Sequence, residues 1–365
     1  MSAERADRLR DLVAERQLDL LIVGDLVRPG DSGRDAIANV RWLTGFTGTS
    51  ALVVIGGDAR TLLTDFRYTE RAEKEVGDAF ERAIVPSRLL PELASRLHGR
   101  VGFDDAATSV ANLGKLEEDL GEGVELVPAG GLVEELRRRK DPGETEAIAE
   151  AARLADEVYE EVLAAGLAGR TEREVAGAAH AAIRERGGEP SFEAIVAAGP
   201  NGALPHAEPS EREIGAGELV VWDMGAIVDG YCSDCTRTFA AGSEPDGDAG
   251  EAYALVEGAQ AAGLEAIRPG VDGEAADEAA RAVIRDGGHE DHFGHGLGHG
   301  VGLEVHEAPR LGKRSEDVLA PGDVVTVEPG VYVPGRFGIR IEDLVVVTED
   351  GYRNLSFVPK ALRVV

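Results

Sequence analysis

Cysteine, methionine and aromatic residues are scarce in this 365-residue chain, which holds two Cys, two Met and 5% aromatics. Two cysteines exclude a disulfide-built scaffold and a four-thiolate zinc site. Lysine is scarce too: Lys74, Lys115, Lys140, Lys313 and Lys360 are the full set, so arginine supplies nearly all positive charge. No apolar run approaches the roughly 18 to 20 residues that cross a bilayer. Residues 1–17 are charged and helix-like, without the apolar centre of a signal peptide. A cytoplasmic chain with no membrane partner is expected.

What is abundant is acid. Against 38 basic residues stand 68 acidic ones, a net charge of −30. Such a surface repels nucleic-acid phosphates, so no nucleic-acid partner is expected. An acidic, lysine-poor surface is similar to those of salt-accumulating, haloarchaeal-type organisms, where molar salt screens the self-repulsion. A halophilic cytosol is the expectation, and an acidic mesophilic enzyme is the alternative. The apolar share of 43% is that of an ordinary globular protein, and the length suits two hydrophobic cores.

Residues 1–130 alternate short β-type runs (18–23, 51–55, 61–64, 83–85, 101–103) with amphipathic stretches at 90–97 and 110–120, which predicts an α/β domain. It carries no phosphate-cradling glycine loop and no cluster of reactive side chains. Support, oligomerisation or a rim to the site is its expected role. The basic run 137–140 can bind an anion or complement a helix dipole. Pro142 then restarts a helix, and the boundary is placed around residue 130, leaving 131–365 as a second domain.

That second region repeats itself. Residues 178–185 match 279–286, each copy following a capping residue, Thr171 or Asp272. Downstream of each comes a β-type run ending in a carboxylate with glycine two residues on: Val220-Val221-Trp222-Asp223-Met224-Gly225 and Val325-Thr326-Val327-Glu328-Pro329-Gly330. One more acid follows each, Asp234 and Glu342. Asp229-Gly230 is a two-residue hairpin signal; with these as the turn, Val228 faces Tyr231, Asp223 faces Thr236 and Asp234 faces Gly225. Both acids then share one face of the sheet, and Gly225 leaves room for an ion. Arg340 and Glu342, two apart on a β-like run, share a face as well. Four acids on one surface repel unless cations sit among them, and two divalent ions balance four carboxylates. The bland alternative is acids paired with surface arginines.

In His295-Gly296-Leu297-Gly298-His299 the alternate glycines forbid a helix and predict an extended segment whose backbone approaches something closely. With His292 and His306 nearby, the tract adds imidazoles to the four acids, the donor set of a two-metal hydrolytic site. Cys232 and Cys235 flank Asp234. Redox chemistry or half a zinc site is one reading of that spacing, and small buried residues lining the site is the preferred one.

At these residues the chain resembles the pita-bread metallopeptidases, the family of methionine aminopeptidase, aminopeptidase P and prolidase. Its stretch 295–307 is similar to the signature of the proline-specific members. The resemblance spans the whole chain and implies a creatinase/prolidase-like N-terminal α/β domain. After it would come an α+β pita-bread catalytic domain with an internal pseudo-two-fold duplication. It implies that Asp223, Asp234, His299, Glu328 and Glu342 hold two divalent ions, Asp234 and Glu342 bridging, with manganese or cobalt favoured and iron or zinc left open. The implied reaction is hydrolysis of an Xaa-Pro bond in dipeptides or short peptides through a metal-bridging hydroxide. Glu328 would shuttle the proton, and His206 and His306 would bind substrate and stabilise the tetrahedral intermediate. His295 would line the proline pocket, Arg340 would orient a ligand carboxylate, and Arg310 would take the substrate's free carboxylate, favouring dipeptides over the aminopeptidase alternative. A homodimer is also implied. A metal-dependent lyase, an amidinohydrolase on the same fold and a metal-free interaction module are the competing readings.

Overall fold

The computed structural model describes residues 2–24, 37–86 and 88–365. It divides into two units, Met1–Arg137 and Arg138–Val365.

In the first unit the β-type runs become strands of one six-stranded mixed sheet, ordered Glu81–Val85, Ala59–Asp65, Ala51–Gly56, Leu20–Val23, Gly99–Phe103, Val124–Pro128. Leu20–Val23 is central and wholly buried, pairing antiparallel with Ala51–Gly56 and parallel with Gly99–Phe103. A strand covered on both faces needs a continuous apolar run, and Leu-Leu-Ile-Val supplies it. The edge strand Val124–Pro128 escaped the sequence reading because its Glu and Pro break the pattern, which only an edge position tolerates. The division falls after Arg137, not around residue 130. Helix Leu132–Arg137 stays with the first unit, where Glu134 accepts from Asn39 Nδ2 at 2.6 Å and Arg137 Nη1 donates to Asn39 Oδ1 at 2.7 Å. Arg138 and Lys140 of the basic run are paired inside the second unit: Arg138 with Asp317 and Asp323, Lys140 with Glu307.

In the second unit the Asp141 side chain caps helix Pro142–Leu163 in a reciprocal capping box with Glu144. Helices Glu172–Glu185 and Gly273–Asp286 are the repeated pair, capped by Thr171 and Asp272. Each follows a long helix, Pro142–Leu163 or Gly247–Ala266, and each half supplies most of one core cluster. Val158, Tyr159, Val175, Trp222 and Phe239 belong to the first. Val256, Ile284, Leu297, Val327 and Ile339 belong to the second. The first half's strands run Cys235–Ala240, Leu219–Met224, Ile195–Ala198. The second half contributes a five-stranded sheet, Glu307–Leu311, Gly298–Gly300, Val324–Val327, Asp343–Val347, Tyr352–Asn354, and the hairpin Gly330–Val333/Phe337–Arg340. Among the described residues no helix is long and apolar enough to cross a membrane.

Candidate metal centre

The turn at Asp229-Gly230 sets the register that delivers the first two acids. Both residues have positive φ, 49° and 80°, the backbone of a type I′ turn. Val228 pairs with Tyr231, Ile227 with Cys232, and further along Thr236 pairs with Asp223. Glu328 closes strand Val324–Val327, its N–H donating to Leu297 O at 2.8 Å. Glu342 stands between strands Phe337–Arg340 and Asp343–Val347, its N–H donating to Thr236 O at 3.0 Å. That last bond sews the second half onto the first, so the acids of both copies meet on one seam.

At the seam Asp234, His299 and Glu342 each turn a ligand atom inward, all within 4.8 Å of one another. His299 Nε2 lies 3.6 Å from Asp234 Oδ2 and 3.4 Å from Glu328 Oε1. Arg340 brings one positive charge, with Nη2 2.6 Å from Asp223 Oδ2 and Nε donating to Thr236 Oγ1 at 2.9 Å. Thr236 Oγ1 in turn donates to Glu342 Oε2 at 2.7 Å. One guanidinium does not balance four carboxylates, and three oxygens are left over: among the described residues Asp223 Oδ1, Asp234 Oδ1 and Glu342 Oε1 have no hydrogen-bond partner, and all three are buried. Burial, and then the neighbouring carboxylates, push Asp234 and Glu342 well above the usual carboxylate range. Burial raises Glu328 too, and it lowers His299, favouring the neutral imidazole that ligates metals. Orphaned acceptors around a neutral imidazole fit hard or borderline divalent cations.

The remaining histidines surround this cluster. The His306 ring centroid is 4.3 Å from that of His299, and burial lowers the pKa of its imidazole. His295 Nε2 is 2.9 Å from Tyr332 OH, which also accepts from Arg340 Nη1 at 3.0 Å. Exposed His206 lies next to Pro205, whose carbonyl accepts from Arg340 Nη1 at 3.2 Å. Arg310 pairs with His299 across the sheet, and with His295, Lys313 and Arg314 it lines a cavity of about 570 Å³. His292 stands apart, its Nδ1 3.0 Å from His289 Nδ1. The glycines of the tract are there for close approach: a Cβ on Gly298 would sit 2.0 Å from Thr326 O, and one on Gly300 2.2 Å from Ala308 O.

Residues 146–349 match the Metallopeptidase family M24 model, and residues 5–139 match that of the Creatinase/Prolidase N-terminal domain. The chain belongs to metallopeptidase family M24. It is 33% identical over 358 residues to the Xaa-Pro dipeptidase of Pyrococcus furiosus, covering 97% of each chain. Its structure is similar to that of an Xaa-Pro dipeptidase from Bacillus anthracis, with a TM-score of 0.94, 36% identity and complete coverage of both chains. It is also similar to an X-Pro aminopeptidase from Thermotoga maritima MSB8, with a TM-score of 0.87, 33% identity and coverage of 96% of this chain and 99% of that one. The M24 chain is thus a metallopeptidase with a creatinase-type N-terminal domain and a pita-bread catalytic domain.

Several residues of this M24 site were not singled out in the sequence. Thr326 accepts from His299 N at 3.0 Å and donates to Glu328 Oε1 at 3.1 Å; its place two residues before Glu328, on the same face, was the available signal. Thr236 was placed opposite Asp223 but not seen as the link between Arg340 and Glu342. The buried pair Asp277–Arg281 holds the histidine tract by its backbone. Asp277 Oδ1 accepts from Leu297 N, while Arg281 donates to Phe293 O and His295 O. Gly225 is a correction. A Cβ there would sit 1.8 Å from Ser233 O, so glycine makes room for neighbouring backbone and not for an ion. Both cysteines are buried, Cys235 Sγ lying 3.6 Å from Glu342 O.

Proposed function

We propose that this M24 chain is a dinuclear-metal exopeptidase that hydrolyses the Xaa-Pro bond of dipeptides. The observation that carries the proposal is the trio of buried, unpartnered carboxylate oxygens beside a neutral imidazole. Asp223, Asp234, His299, Glu328 and Glu342 would hold two divalent cations, manganese or cobalt by their oxygen-rich donor set. When bound, the cations supply the charge that acidifies a water near neutral pH and polarises the scissile carbonyl.

The protein's own groups do the rest. Glu328, whose carboxyl is raised by burial, accepts the proton of the attacking water and returns it to the leaving prolyl nitrogen. His306 and His206 face the carbonyl and stabilise its developing negative charge. Arg340 orients Asp223 and, through Thr236, Glu342. His295 walls the proline side, and in the cavity beyond it, lined by Arg310, Lys313, Arg314, Glu316 and Asp317, Arg310 would take the substrate's free carboxylate as a bidentate partner. The dipeptidase names of relatives that cover the chain end to end support this reading. The likeness to an X-Pro aminopeptidase, and a cavity with room beyond a prolyl ring, favour a second one in which longer peptides enter.

Initial rates on an Xaa-Pro dipeptide and an Xaa-Pro-Yaa tripeptide, with manganese and with chelator, separate the two. Chelator-sensitive cleavage confined to the dipeptide is expected. Preference for the tripeptide would make the chain an aminopeptidase; cleavage of neither by folded, metal-loaded protein would refute the peptidase reading in favour of a lyase on the same fold.

A further inference from the structure

We infer that Glu172 is a positioning residue that staples residues 198–210 into the loop presenting His206. The inference rests on the role proposed for His206. Glu172 opens helix Glu172–Glu185 and is 0% exposed. Its Oε1 accepts from Ala198 N at 2.8 Å and Asn201 Nδ2 at 3.0 Å; its Oε2 accepts from Ser210 N at 3.1 Å, Ser210 Oγ at 2.6 Å and Asn201 Nδ2 at 3.1 Å. Among the described residues every one of these donors is neutral, and nearby Arg212 is engaged by Glu218. A fully buried carboxylate is costly unless hydrogen bonds saturate it. Here they come from the start, the middle and the end of one loop.

What the staple closes on is the site. Between the two tethered ends lie His206 and its neighbour Pro205, whose carbonyl accepts from Arg340. The loop also presses on the hairpin that carries Arg340: a Cβ on Gly338 would lie 1.7 Å from Gly202 O. The tip itself is exposed at Leu204 and His206, so its position depends on how firmly its ends are held. The second half uses the same device, since Asp277 of the repeated helix holds Leu297 N, two residues from His295.

Glu172→Gln tests this sharply. Each oxygen of Glu172 faces two or more donors, so an amide nitrogen in either place meets donors it cannot bond. kcat/KM is expected to fall about 100-fold, the cost of displacing a reacting-site group by about 1 Å, with metal content unchanged. Backbone amides of 199–209 should exchange faster with solvent than in the parent protein, a readout independent of turnover. Ser210→Ala, which removes a single donor, should produce a smaller loss and keeps the test alive if Glu172→Gln does not fold.

The cycle with His206→Ala decides between positioning and general weakening. If Glu172 acts through the loop, Glu172→Gln in the His206→Ala background costs little more. Additive losses, or unchanged exchange in 199–209, would overturn the inference. An impaired His206→Ala beside a fully active Glu172→Gln would sink the inference alone; a fully active His206→Ala would instead remove the role proposed for His206.

Discussion

Stripping divalent metal should cost the protein stability that can be worked from three atoms. Asp223 Oδ1, Asp234 Oδ1 and Glu342 Oε1 are buried and unpartnered, and each such acceptor costs about 1–3 kcal/mol or more. The metal-free fold therefore carries roughly 3–9 kcal/mol that cations relieve. At manganese a hundred times its dissociation constant, linkage returns about 2.7 kcal/mol, and at a thousand times about 4.1. Those figures are per site, so with two ions bound per chain by titration and about 2–4 °C of Tm per kcal/mol for a unit of this size, the loaded protein should melt about 10–30 °C higher by calorimetry. The sign in pH follows from Asp234 and Glu342, whose folded-state pKa values are raised by burial and mutual repulsion. Their stabilising contribution is complete below the ordinary carboxylate range and is lost as pH rises through the raised values. Metal-free protein should weaken on the alkaline side while loaded protein does not. Asp234→Asn should then stabilise the metal-free form at pH 8 and shrink the gain from manganese. An unchanged Tm on loading, or a metal-free Asp234→Asn less stable than its parent, would refute the reasoning.

Glu328→Ala should lower kcat by at least about 100-fold on any Xaa-Pro substrate, measured at saturating manganese; near-parental kcat would remove Glu328 as proton carrier. Thr236→Val, close in volume, leaves Glu342 Oε2 and Arg340 Nε without their shared hydroxyl and should cost about 2–4 kcal/mol by urea unfolding of the metal-free form; a neutral result would mean the hydroxyl is dispensable. Asp156 is pushed up to about 6 by burial, so its stabilising contribution is complete below about pH 4 and lost as pH rises through about 6. Asp156→Asn should gain up to about 3 kcal/mol at pH 8 and flatten that pH dependence, and a loss of stability there would contradict the assignment. For the acidic surface, dialysis from molar salt to low salt should abolish cooperative unfolding and activity; retention of both would leave an acidic mesophilic enzyme.

Much of the acid cluster's placement was legible because its geometry is local. A turn dipeptide of fixed length, strand periodicity and β-branched runs are enough to place Asp223, Asp234 and Thr236 on one face, and φ values of 49° and 80° at Asp229 and Gly230 realise that turn. The duplicated helices were legible because both capping residues and the small-residue pattern recur. What stayed hidden depends on contacts between segments far apart in sequence. Tyr332 matters through His295 and Arg340, Asp277 through Leu297, and Glu172 through Ser210; none sits in a pattern that advertises its partner. Gly225 shows the same limit from the other side, since glycine signals a near neighbour without saying which. The unit boundary slipped because a basic run reads as a junction until its first arginine is seen to bond Asn39.

The bonds from Arg340 to Asp223 and from Thr236 to Glu342 cross from one copy of the repeat to the other. Two copies of a motif usually offer two chances, one free to drift while the other works. Here neither copy owns a complete site, so the duplication confers no redundancy. A lesion in either half would strike the same single centre. The repeat behaves toward mutation as one indivisible unit.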